Sequence, residues 1–559
     1  MTRNQIVALV AQAIYNAQAA GALPAFDPPA IEVSRPKDAT KGDYATSVAM
    51  QCARLARMAP LAIAQAIVKH MPPAGFIGAV EAAAPGFINF RLASRWLAGQ
   101  VATIEAADGR YGDVNLGAGK TCQVEFISAN PTGPLHMGSA RNAVLGDALA
   151  NVMAAAGYVV QREYYINDAG TQMRTCAETL YRRYRQQFGQ DAPLESHHYQ
   201  GAYMVDMAKE IVAEHGDRFL ALSAEDAIAA LSGIGLAKIL AGIRASAKKL
   251  GIHFDRWYSE RSLYEPGGAF DYVLGKLREA GAMTARDGAE WLLTSQFGSD
   301  RDEVVIRSSG QPGYYASDIA YHYDKFVRRG FDRVIDVWAV DHQNQARRMP
   351  HLMQALGLDP NRLTIVLYDL VRLYRDGQEV KLSKRSGDII TVDEVVDEVG
   401  ADAVRFLLLT RSNQAVMDFD LNLAVAQNDE NPVYYVQYGH ARMAGILRKA
   451  GERGFPRERW ADGDLGLLVH EREQALLRRM LDLEEVIENA ALTCAPHTLA
   501  FYAKDLARVF HEFYRDCPVI SGERVEPALS CARLRLVAAT KAVFARVLGL
   551  MGVGAPDSM

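Results

Sequence analysis

A strand, a turn rich in proline and glycine, and a helix start follow one another in the first half of this 559-residue chain. The segment TCQVEFIS (residues 121–128) alternates apolar and polar side chains, as a strand does. NPTGPLHMGSARNAVLGDALA (130–150) then places His136 after the turn and continues as an apolar run. In an α/β sheet, free backbone N–H groups and the helix dipole meet at such a turn and favour phosphate. We therefore predict a phosphate site in which His136 adds a hydrogen bond.

Strand-like and helix-like segments continue to alternate over residues 118–400, which predicts an α/β domain with a doubly wound, Rossmann-type sheet. The segments typical of buried strands are VVQREYYI (159–166), RVIDVWAV (333–340) and LTIVLYDL (363–370). Residues 175–251 have a mainly helical pattern, so we expect a helical insertion between strands.

Two further domains are predicted on either side of this sheet. Residues 1–117 mix helical stretches with short apolar runs and end in a Gly- and Asp-rich linker, which indicates a small α+β domain. Residues 401–559 carry apolar side chains at helical spacing and predict an all-helical domain. One such stripe consists of Leu476, Met480, Leu483 and Ile487.

Composition limits the partners and the location of the chain. With a formal net charge of −5, a nucleic-acid partner would have to meet local basic patches. The six cysteines are scattered and form no C-x-x-C pair, which fits a reducing cytosol and predicts no metal site. We expect a cytoplasmic protein without a membrane partner, since no apolar run reaches about 18 residues. A transit peptide is the alternative for the amphipathic N-terminus, which carries one arginine and no acid.

Two glycine-rich segments imitate nucleotide-binding motifs without completing them. GAGKT (117–121) ends like a phosphate loop, but Val114 stands where the first glycine belongs and the segment precedes a strand. SGIGLAK (232–238) fails the dinucleotide pattern because Lys238 replaces its third glycine. We assign neither segment to phosphate binding.

A basic loop far along the chain supports the interpretation of the histidine turn as a phosphate site. VKLSKRSGDIITVDEVV (380–396) crowds Lys381, Lys384 and Arg385 ahead of a helix that Thr391 is expected to cap. Alone, such a loop is usually a solvated surface turn. Together with the histidine turn it can bracket a triphosphate, because its lysines can neutralise the charge that builds on departing pyrophosphate.

The two segments resemble the signatures of class I aminoacyl-tRNA synthetases: GPLHMGS resembles H-x-G-H, and KLSK resembles K-M-S-K. The segments that extend the likeness to the arginyl-tRNA synthetase family are VEFISANPTGPLHMGSAR, REYYINDAGTQ, GYYASDIAYHYDKF, VKLSKRSGDIIT and NPVYYVQYGHARM. The resemblance covers nearly the whole chain and implies that arginine is joined to its tRNA through arginyl-AMP. It also implies an N-terminal domain that touches the tRNA elbow, a Rossmann catalytic domain and a helical anticodon-binding domain.

The resemblance implies catalytic and ATP-binding roles within the two signatures. The residues concerned are His136, Gly138, Ser139, Arg141, Lys381, Ser383 and Lys384. His136 and Gly138 would hold ATP at the helix start, where glycine lets the nucleotide approach the backbone. Lys381 and Lys384 would stabilise departing pyrophosphate. ATP is expected as its magnesium complex, and no prosthetic group is implied.

A pocket for arginine must offer carboxylates to a planar, permanently charged guanidinium. By resemblance, Asp318 binds the guanidinium and Tyr314, four residues earlier, lines the pocket. Glu125 and Asn130 would hold the substrate's guanidinium and amino-acid end. A helix cap for Asp318 and a strand-end salt bridge for Glu125 are the alternatives. The strand RVIDVWAV is followed by two further candidates: His342 and Gln343.

One position departs from the family pattern, because Ser139 stands where the signature has its second histidine. A serine can donate one hydrogen bond to a phosphate but cannot carry charge. The loss of such a transition-state donor costs about 2.7–4 kcal/mol, unless water or a neighbour such as Arg141 compensates. The alternative function is therefore a catalytically impaired synthetase-like protein that binds tRNA or arginine.

Two other enzyme classes account for less of the chain. A nucleotidylyltransferase would share the histidine turn but would not need the helical C-terminal third. A cysteinyl relative would need a cysteine and histidine cluster for a pocket zinc. Candidates for contact with tRNA lie in one C-terminal segment, where a solvated helix face is the alternative: Tyr438, Arg442, Arg448 and Lys449. The family resemblance suggests a monomer.

Overall fold

The computed structural model describes residues 2–313, 315–380, 390–520 and 525–559. Tyr314 and the segment 381–389 lie outside the described residues. The proposed roles of Tyr314, Lys381, Ser383 and Lys384 therefore stay predictions.

The N-terminal region packs helices on one small sheet, as the α+β prediction requires. Its elements are α1 (Thr2–Ala19), β1 (Val33–Ser34), β2 (Tyr44–Thr46), α2 (Val48–Ala56), α3 (Pro60–Lys69), β3 (Ile77–Ala83), β4 (Phe87–Leu92) and α4 (Ser94–Ala106). The strands lie in the order β1-β2-β4-β3. Helix α1 buries Ile6, Val10 and Ile14 at helical spacing and packs against α3, so this first helix is part of the folded core.

The central region is built on a parallel sheet. Its elements are β5 (Thr121–Glu125), α5 (Met137–Ala155), β6 (Val159–Ile166), α6 (Thr171–Gln186), α7 (Ala202–His215), α8 (Ala224–Lys249), β7 (Arg256–Ser259), α9 (Ala269–Glu279), β8 (Met283–Arg286), β9 (Ala289–Leu292), β10 (Glu303–Ile306), α10 (Ala316–Tyr323), β11 (Arg333–Ala339), α11 (Gln343–Ala346), α12 (Met349–Ala355), β12 (Leu363–Tyr368), β13 (Val371–Arg375), β14 (Gln378–Val380), α13 (Val392–Val399), α14 (Ala401–Leu408), β15 (Met417–Asp420) and α15 (Leu421–Val425).

Within the described residues, the main sheet has the order β12-β11-β5-β6-β7 with all neighbours parallel. The predicted strands β5, β6, β11 and β12 are confirmed. Strand β5 is central, with β6 on one side and β11, which follows much later in the chain, on the other. This arrangement confirms the Rossmann-type prediction and creates a crevice at the carboxyl ends of the strands, where such sheets bind ligands.

Two insertions and a second sheet flank this core. Helices α6, α7 and α8 form the expected helical insertion between β6 and β7. Helix α8 is long and apolar enough, by composition alone, to cross a membrane, a property that core helices of soluble proteins share; here it packs against α6. A second insertion, which the sequence did not indicate, carries the antiparallel strands β8, β9 and β10. Strand β15 lies after residue 400 and pairs in parallel with β13, although helix was expected there.

The C-terminal region is helical over its described residues. Its elements are α16 (Pro432–Glu452), α17 (Arg457–Trp460), α18 (Glu471–Leu481), α19 (Leu483–Thr493), α20 (Thr498–Asp516) and α21 (Pro527–Leu550). The predicted stripe of Leu476, Met480, Leu483 and Ile487 is fully buried between these helices. Helix α19 also packs against α5, so the helical domain supports the helix that begins after His136.

Candidate functional site

The chain leaves β5 through a strained turn. Ile127 and Ser128 both have positive φ angles, 63° and 40°. This region is unfavourable for a β-branched residue, and such strain persists only where the surroundings enforce it. The Ile127 N–H donates to Asn142 Oδ1 at 2.5 Å, and Ser128 Oγ accepts the Tyr165 N–H at 3.1 Å. The turn is therefore held from both sides in one conformation.

His136 caps the first turn of α5. Its Nδ1 accepts the Gly138 N–H at 3.1 Å. A Cβ atom on Gly138 would lie 2.9 Å from His136 Cε1, so the imidazole can take this place only beside a glycine. Together the two residues shape the helix N-terminus, where the backbone favours an anion.

The start of α13 lies against the same turn. The Val392 N–H donates to the Leu135 carbonyl at 2.9 Å, and His136 faces Thr391 in an antiparallel bridge. Thr391 caps α13 in a capping box with Glu394, as expected. The described residues that follow the lysine segment thus contact the histidine turn.

Asn130, Ser139 and Arg141 have different surroundings. Asn130 is exposed, and its Nδ2 donates to Gln172 Oε1 at 2.8 Å. Ser139 is buried on α5. Arg141 is fully buried, and its guanidinium donates to four backbone carbonyls between 2.7 and 3.1 Å, those of Asp369, Leu370, Ser412 and Ala415. These donors tie α5 to two loops, so an ATP contact by Arg141 would require the protein to give up those hydrogen bonds.

An acidic pocket lies beyond the ends of β6 and β7. Asp318, on the first turn of α10, accepts a hydrogen bond from Gln345 Nε2 at 2.5 Å. Burial raises the pKa of the Asp318 carboxyl. Burial, together with the negative charges of Asp168 and Asp318, raises the pKa of Glu260 to about 7. A buried carboxyl whose pKa is raised by neighbouring carboxylates is a favourable place for a cationic ligand.

Sequence reasoning missed Glu260 and Gln345. Glu260 Oε2 is buried with no hydrogen-bond partner among the described residues. The available signal was position, since Glu260 directly follows β7 and the ends of parallel strands meet at one sheet edge. That signal was lost because β7 has only four residues and one buried side chain. Gln345 lies two residues beyond the predicted Gln343, which is exposed.

His342 is half-exposed, and its Nδ1 lies 3.1 Å from Gln345 Oε1. His342 and Gln345 line an open cleft of about 890 Å³ beneath the β8–β10 insertion. Trp291 and Arg307 line the same cleft. The cleft therefore opens beside the residue that holds Asp318.

Three acidic side chains lie side by side across the main sheet. In register, Asp336 on β11 faces Glu125 on β5, which faces Glu163 on β6. Lys325 Nζ donates to Glu125 Oε2 at 2.6 Å and to Asp336 Oδ1 at 2.8 Å. Arg329 pairs with Glu163 at 2.7 Å. The sequence alternative of a salt bridge for Glu125 is thus present in the structure.

The charge state of this row follows from its neighbours. Burial opposes ionisation of Asp336, but Lys325 and His322 lower the pKa of its carboxyl to about 2. Burial raises the pKa of Glu125, and Lys325 counteracts that effect. The pKa of Lys325 itself is raised, because Asp336 and Glu125 outweigh its burial.

One group of possible metal ligands lies outside this site. Glu178, His197 and His198 each bring a ligand atom within 4.8 Å of the others. His198 Nδ1 already accepts the Glu195 N–H at 2.9 Å, so the neutral ring carries its proton on Nε2. Burial, His197 and Arg182 lower the pKa of His198. With one nitrogen accepting and the other protonated, this ring is not prepared to bind a metal.

Aromatic and basic side chains cluster on α16. Tyr434 and Tyr438 are stacked, with ring centroids 6.2 Å apart. The Arg442 guanidinium lies over the Tyr514 ring at 4.5 Å. Tyr438 is partly exposed and Arg448 and Lys449 follow on the same helix, so these residues remain candidates for contact with nucleic acid.

Comparison with known families finds three matches along the chain. Residues 4–92 match the family described as arginyl tRNA synthetase N terminal domain. Residues 100–442 match tRNA synthetases class I (R), catalytic domain, and residues 436–559 match the DALR anticodon binding domain.

Full-length relatives agree with these matches. An arginine–tRNA ligase of Dehalococcoides mccartyi is 45% identical over 557 residues, which cover 100% of this chain and 99% of the relative. An arginine–tRNA ligase of Citrifermentans bemidjiense is 43% identical over 558 residues, which cover 100% of both chains. The solved arginyl-tRNA synthetase of Thermus thermophilus has a TM-score of 0.78 and 25% identity, and the match covers 100% of both chains.

Proposed function

The chain belongs to the arginyl-tRNA synthetase family, and from that premise we propose which residues carry its reaction. The protein is an arginine–tRNA ligase: it consumes ATP to attach L-arginine to its tRNA through an arginyl-adenylate. The observation that carries the assignment is the full-length likeness to arginine–tRNA ligases, combined with a buried acidic pocket and a histidine-capped helix start at the same edge of the sheet.

His136 and Gly138 bind the ATP phosphates at the N-terminus of α5 in this proposal. The helix dipole supplies a fixed positive partial charge there, and the strained turn holds the backbone in one conformation. Neither has to rearrange during the reaction. Lys381 and Lys384 neutralise the departing pyrophosphate, with Ser383 beside them. The contact of Val392 with the histidine turn supports this pairing of the two signatures.

Asp318 and Glu260 receive the guanidinium. Two carboxylates match its planar fork, and Gln345 orients Asp318 through a 2.5 Å hydrogen bond. Tyr314 lines this pocket. Glu125 and Asn130 hold the amino-acid end, which must point towards the histidine turn for its carboxylate to meet ATP. His342 and Gln343 lie at the rim of the cleft.

The reaction needs no covalent enzyme intermediate. An oxygen of the arginine carboxylate attacks the α-phosphorus, a carbon–oxygen–phosphorus link forms, and the bond to the β-phosphate breaks to release pyrophosphate. A hydroxyl of the terminal ribose of tRNA then attacks the arginyl carbonyl and loses its proton to the departing phosphate or to solvent, and AMP leaves with the bonding electron pair. Rate enhancement comes from alignment and from charge stabilisation by fixed groups.

The partners follow from this chemistry. ATP enters as its magnesium complex, and the metal is carried mainly by the phosphates. The cleft of about 890 Å³ opens next to Asp318, and we propose it as the entry for the terminal nucleotides of tRNA. Trp291 offers a ring for base stacking there. We also propose that the enzyme acts as a monomer in the cytoplasm without a membrane partner.

Pyrophosphate exchange tests the proposal. Arginine-dependent exchange of labelled pyrophosphate into ATP is expected, with cognate tRNA required in the assay. Lysine and citrulline serve as controls, since neither carries a guanidinium. Exchange with citrulline equal to that with arginine would contradict the acidic pocket.

The catalytically impaired protein is the second candidate, and Ser139 is the observation that favours it. Ser139 lies buried on α5, where the family signature has a histidine. If tRNA binds but no exchange occurs under any condition, this second function replaces the first. Recovery of exchange in Ser139→His would identify the serine as the cause.

A further inference from the structure

Lys325 occupies a place that the proposed roles leave unexplained. It lies in a π-helical turn (Asp324–Arg328) that continues α10, and its side chain has no exposed surface. Turns of this kind insert one extra residue into a helix and occur often at functional sites. The Lys325 ammonium group lies 4.1 Å from the centre of the Tyr321 ring.

The ammonium separates two carboxylates that the sheet register forces together. Glu125 and Asp336 face each other on neighbouring parallel strands, so their side chains share one face of the sheet. Like charges at such a spacing repel. Lys325 donates to both at 2.6 and 2.8 Å and is thereby the shared counter-ion.

The contacts continue from Asp336 to the other end of the pocket. His322 Nε2 lies 2.9 Å from Asp336 Oδ2, and His322 Nδ1 lies 2.8 Å from the Asp318 carbonyl oxygen. The ring therefore lies between the Asp336 carboxyl group and the Asp318 backbone. A chain of hydrogen-bonded groups thus joins Glu125 to the backbone of Asp318.

Exposure distinguishes the members of this chain. The side chains of Lys325 and Asp336 are 0% exposed and that of His322 is 1% exposed, whereas that of Glu125 is 8% exposed. Glu125 is therefore the member that can contact a ligand, while the buried Lys325, Asp336 and His322 fix its position.

From this arrangement we infer that Lys325 is a positioning residue for substrate arginine: it fixes Glu125 for the α-ammonium group. The inference rests on the proposed function of Glu125 and Asp318 as the two ends of the arginine pocket. Lys325 touches no substrate atom itself.

Ligands that lack one end of arginine test the inference. Agmatine keeps the guanidinium and the amine but lacks the carboxylate, and 5-guanidinopentanoate keeps the guanidinium and the carboxylate but lacks the amine. In Lys325→Met, the KM for arginine and the inhibition constant of agmatine should rise at least tenfold. The inhibition constant of 5-guanidinopentanoate and the KM for ATP should stay within twofold of wild type.

Variants separate positioning from simple loss of stability. Lys325→Met with Asp336→Asn leaves one fewer unpaired carboxylate, so it should fold better than the single variant yet keep its weak agmatine binding. Lys325→Arg retains the charge and should recover part of the affinity for arginine. Arg533→Met removes a buried cation from the pair with Glu473 at 2.7 Å in the helical domain, and should lower the melting temperature without changing the ratio of the two inhibition constants.

The outcomes are distinct. Equal weakening of agmatine and 5-guanidinopentanoate in the folded variants would overturn the inference, as would unchanged binding of both. If wild-type enzyme fails to use arginine at all, the proposed function fails first, independently of Lys325.

Discussion

The pocket shifts the ionisation of the Glu260 carboxyl into the neutral pH range, where a bound ligand can change it. Its pKa is raised from 4.5 to about 7 by burial and by the nearby Asp168 and Asp318, so about half of the ligand-free molecules carry it protonated at pH 7. A guanidinium placed between Glu260 and Asp318 favours the ionised form. Arginine binding should therefore release a proton near neutral pH.

The first prediction concerns this linkage. As the pH falls from about 8 to about 6, the KM for arginine should rise, approaching about tenfold per pH unit below 7. Glu260→Gln should bind arginine weakly at every pH and lose this slope. Initial rates across the pH range measure both effects, with the KM for ATP as the internal control. The same slope in wild type and Glu260→Gln would contradict the role of Glu260.

A rise in pH strengthens arginine binding but lowers the stability of the ligand-free protein, so stability provides a second measurement on Glu260. A carboxyl whose pKa is raised on folding costs stability once it ionises, so this cost grows as the pH rises from about 4.5 to about 7 and is fully present above 7. Glu260→Gln removes the cost. The ligand-free variant should therefore melt at a higher temperature than wild type at pH 8.

The second prediction separates the two roles of His136. His136→Ala removes both the imidazole and the cap on Gly138, whereas His136→Asn keeps an acceptor that can cap the helix. Both variants should lose roughly a hundred- to thousandfold in the rate of pyrophosphate exchange. Only the alanine variant should also lose about 1 kcal/mol of stability. A rate of exchange near that of wild type in His136→Asn would show that His136 only caps the helix and has no catalytic role.

At the scale of elements, α5 is the helix on which the site depends. It begins at the phosphate turn, is buried on nearly all sides, and packs against both the sheet and α19. Arg141 connects α5 to the loops around residues 369–370 and 412–415, because its guanidinium donates hydrogen bonds to backbone carbonyls in both loops. These hydrogen bonds predict a structural role for Arg141, whereas the sequence predicts a contact with ATP.

The third prediction tests which role is right. Arg141→Met would leave four backbone carbonyls without the buried guanidinium that donates to them and should destabilise the catalytic domain by about 3 kcal/mol. Arg141→Lys retains the charge but lacks the planar fork, and should rescue little of this stability. Urea unfolding and the KM for ATP are the measurements. A large rise in the KM for ATP in Arg141→Met, with a rescue by lysine, would restore the ATP-binding interpretation.

The sequence was informative where side chains repeat in a regular pattern. Strands β6 and β11 have eight and seven residues and are rich in β-branched and aromatic side chains, so they were recognised from their residues alone. Strand β7 and the β8–β10 insertion are four-residue strands with few buried positions, which leave too little pattern to read. Glu260 and the Lys325 contacts became visible only in three dimensions, because Lys325 and Glu125 lie 200 residues apart along the chain and Glu260 follows a strand that was not recognised.

At the scale of the whole molecule, α19 joins the domains that a tRNA would have to bridge. Arg35 of the N-terminal region lies 2.6 Å from Asp482 and 3.2 Å from Glu485, and the Tyr44 hydroxyl donates to Glu485 at 2.5 Å. Helix α19 also packs on α5. The N-terminal region is thus anchored to the helix that supports the catalytic turn.

The fourth prediction follows from this anchor. Breaking the contact should loosen the N-terminal region relative to the helical domain without disturbing the arginine pocket. Arg35→Met and Glu485→Gln should each raise the KM for tRNA several-fold, while the KM for arginine at saturating tRNA stays unchanged. The double variant should raise it no further than the stronger single variant, because the pair acts as one unit; a coupling of roughly 1 kcal/mol is expected.

The matched control is Arg472→Met, which removes a half-exposed arginine paired with Glu512 and Asp516 inside the helical domain. It breaks an ion pair of similar exposure but leaves the contact between the domains intact, so the KM for tRNA should stay close to wild type. Hydrogen exchange near Arg35 and Tyr44 should be faster in Arg35→Met and unchanged in Arg472→Met. If the tRNA effects of Arg35→Met and Glu485→Gln are instead additive, each residue contacts the tRNA or the solvent independently and the anchor does not act as a unit.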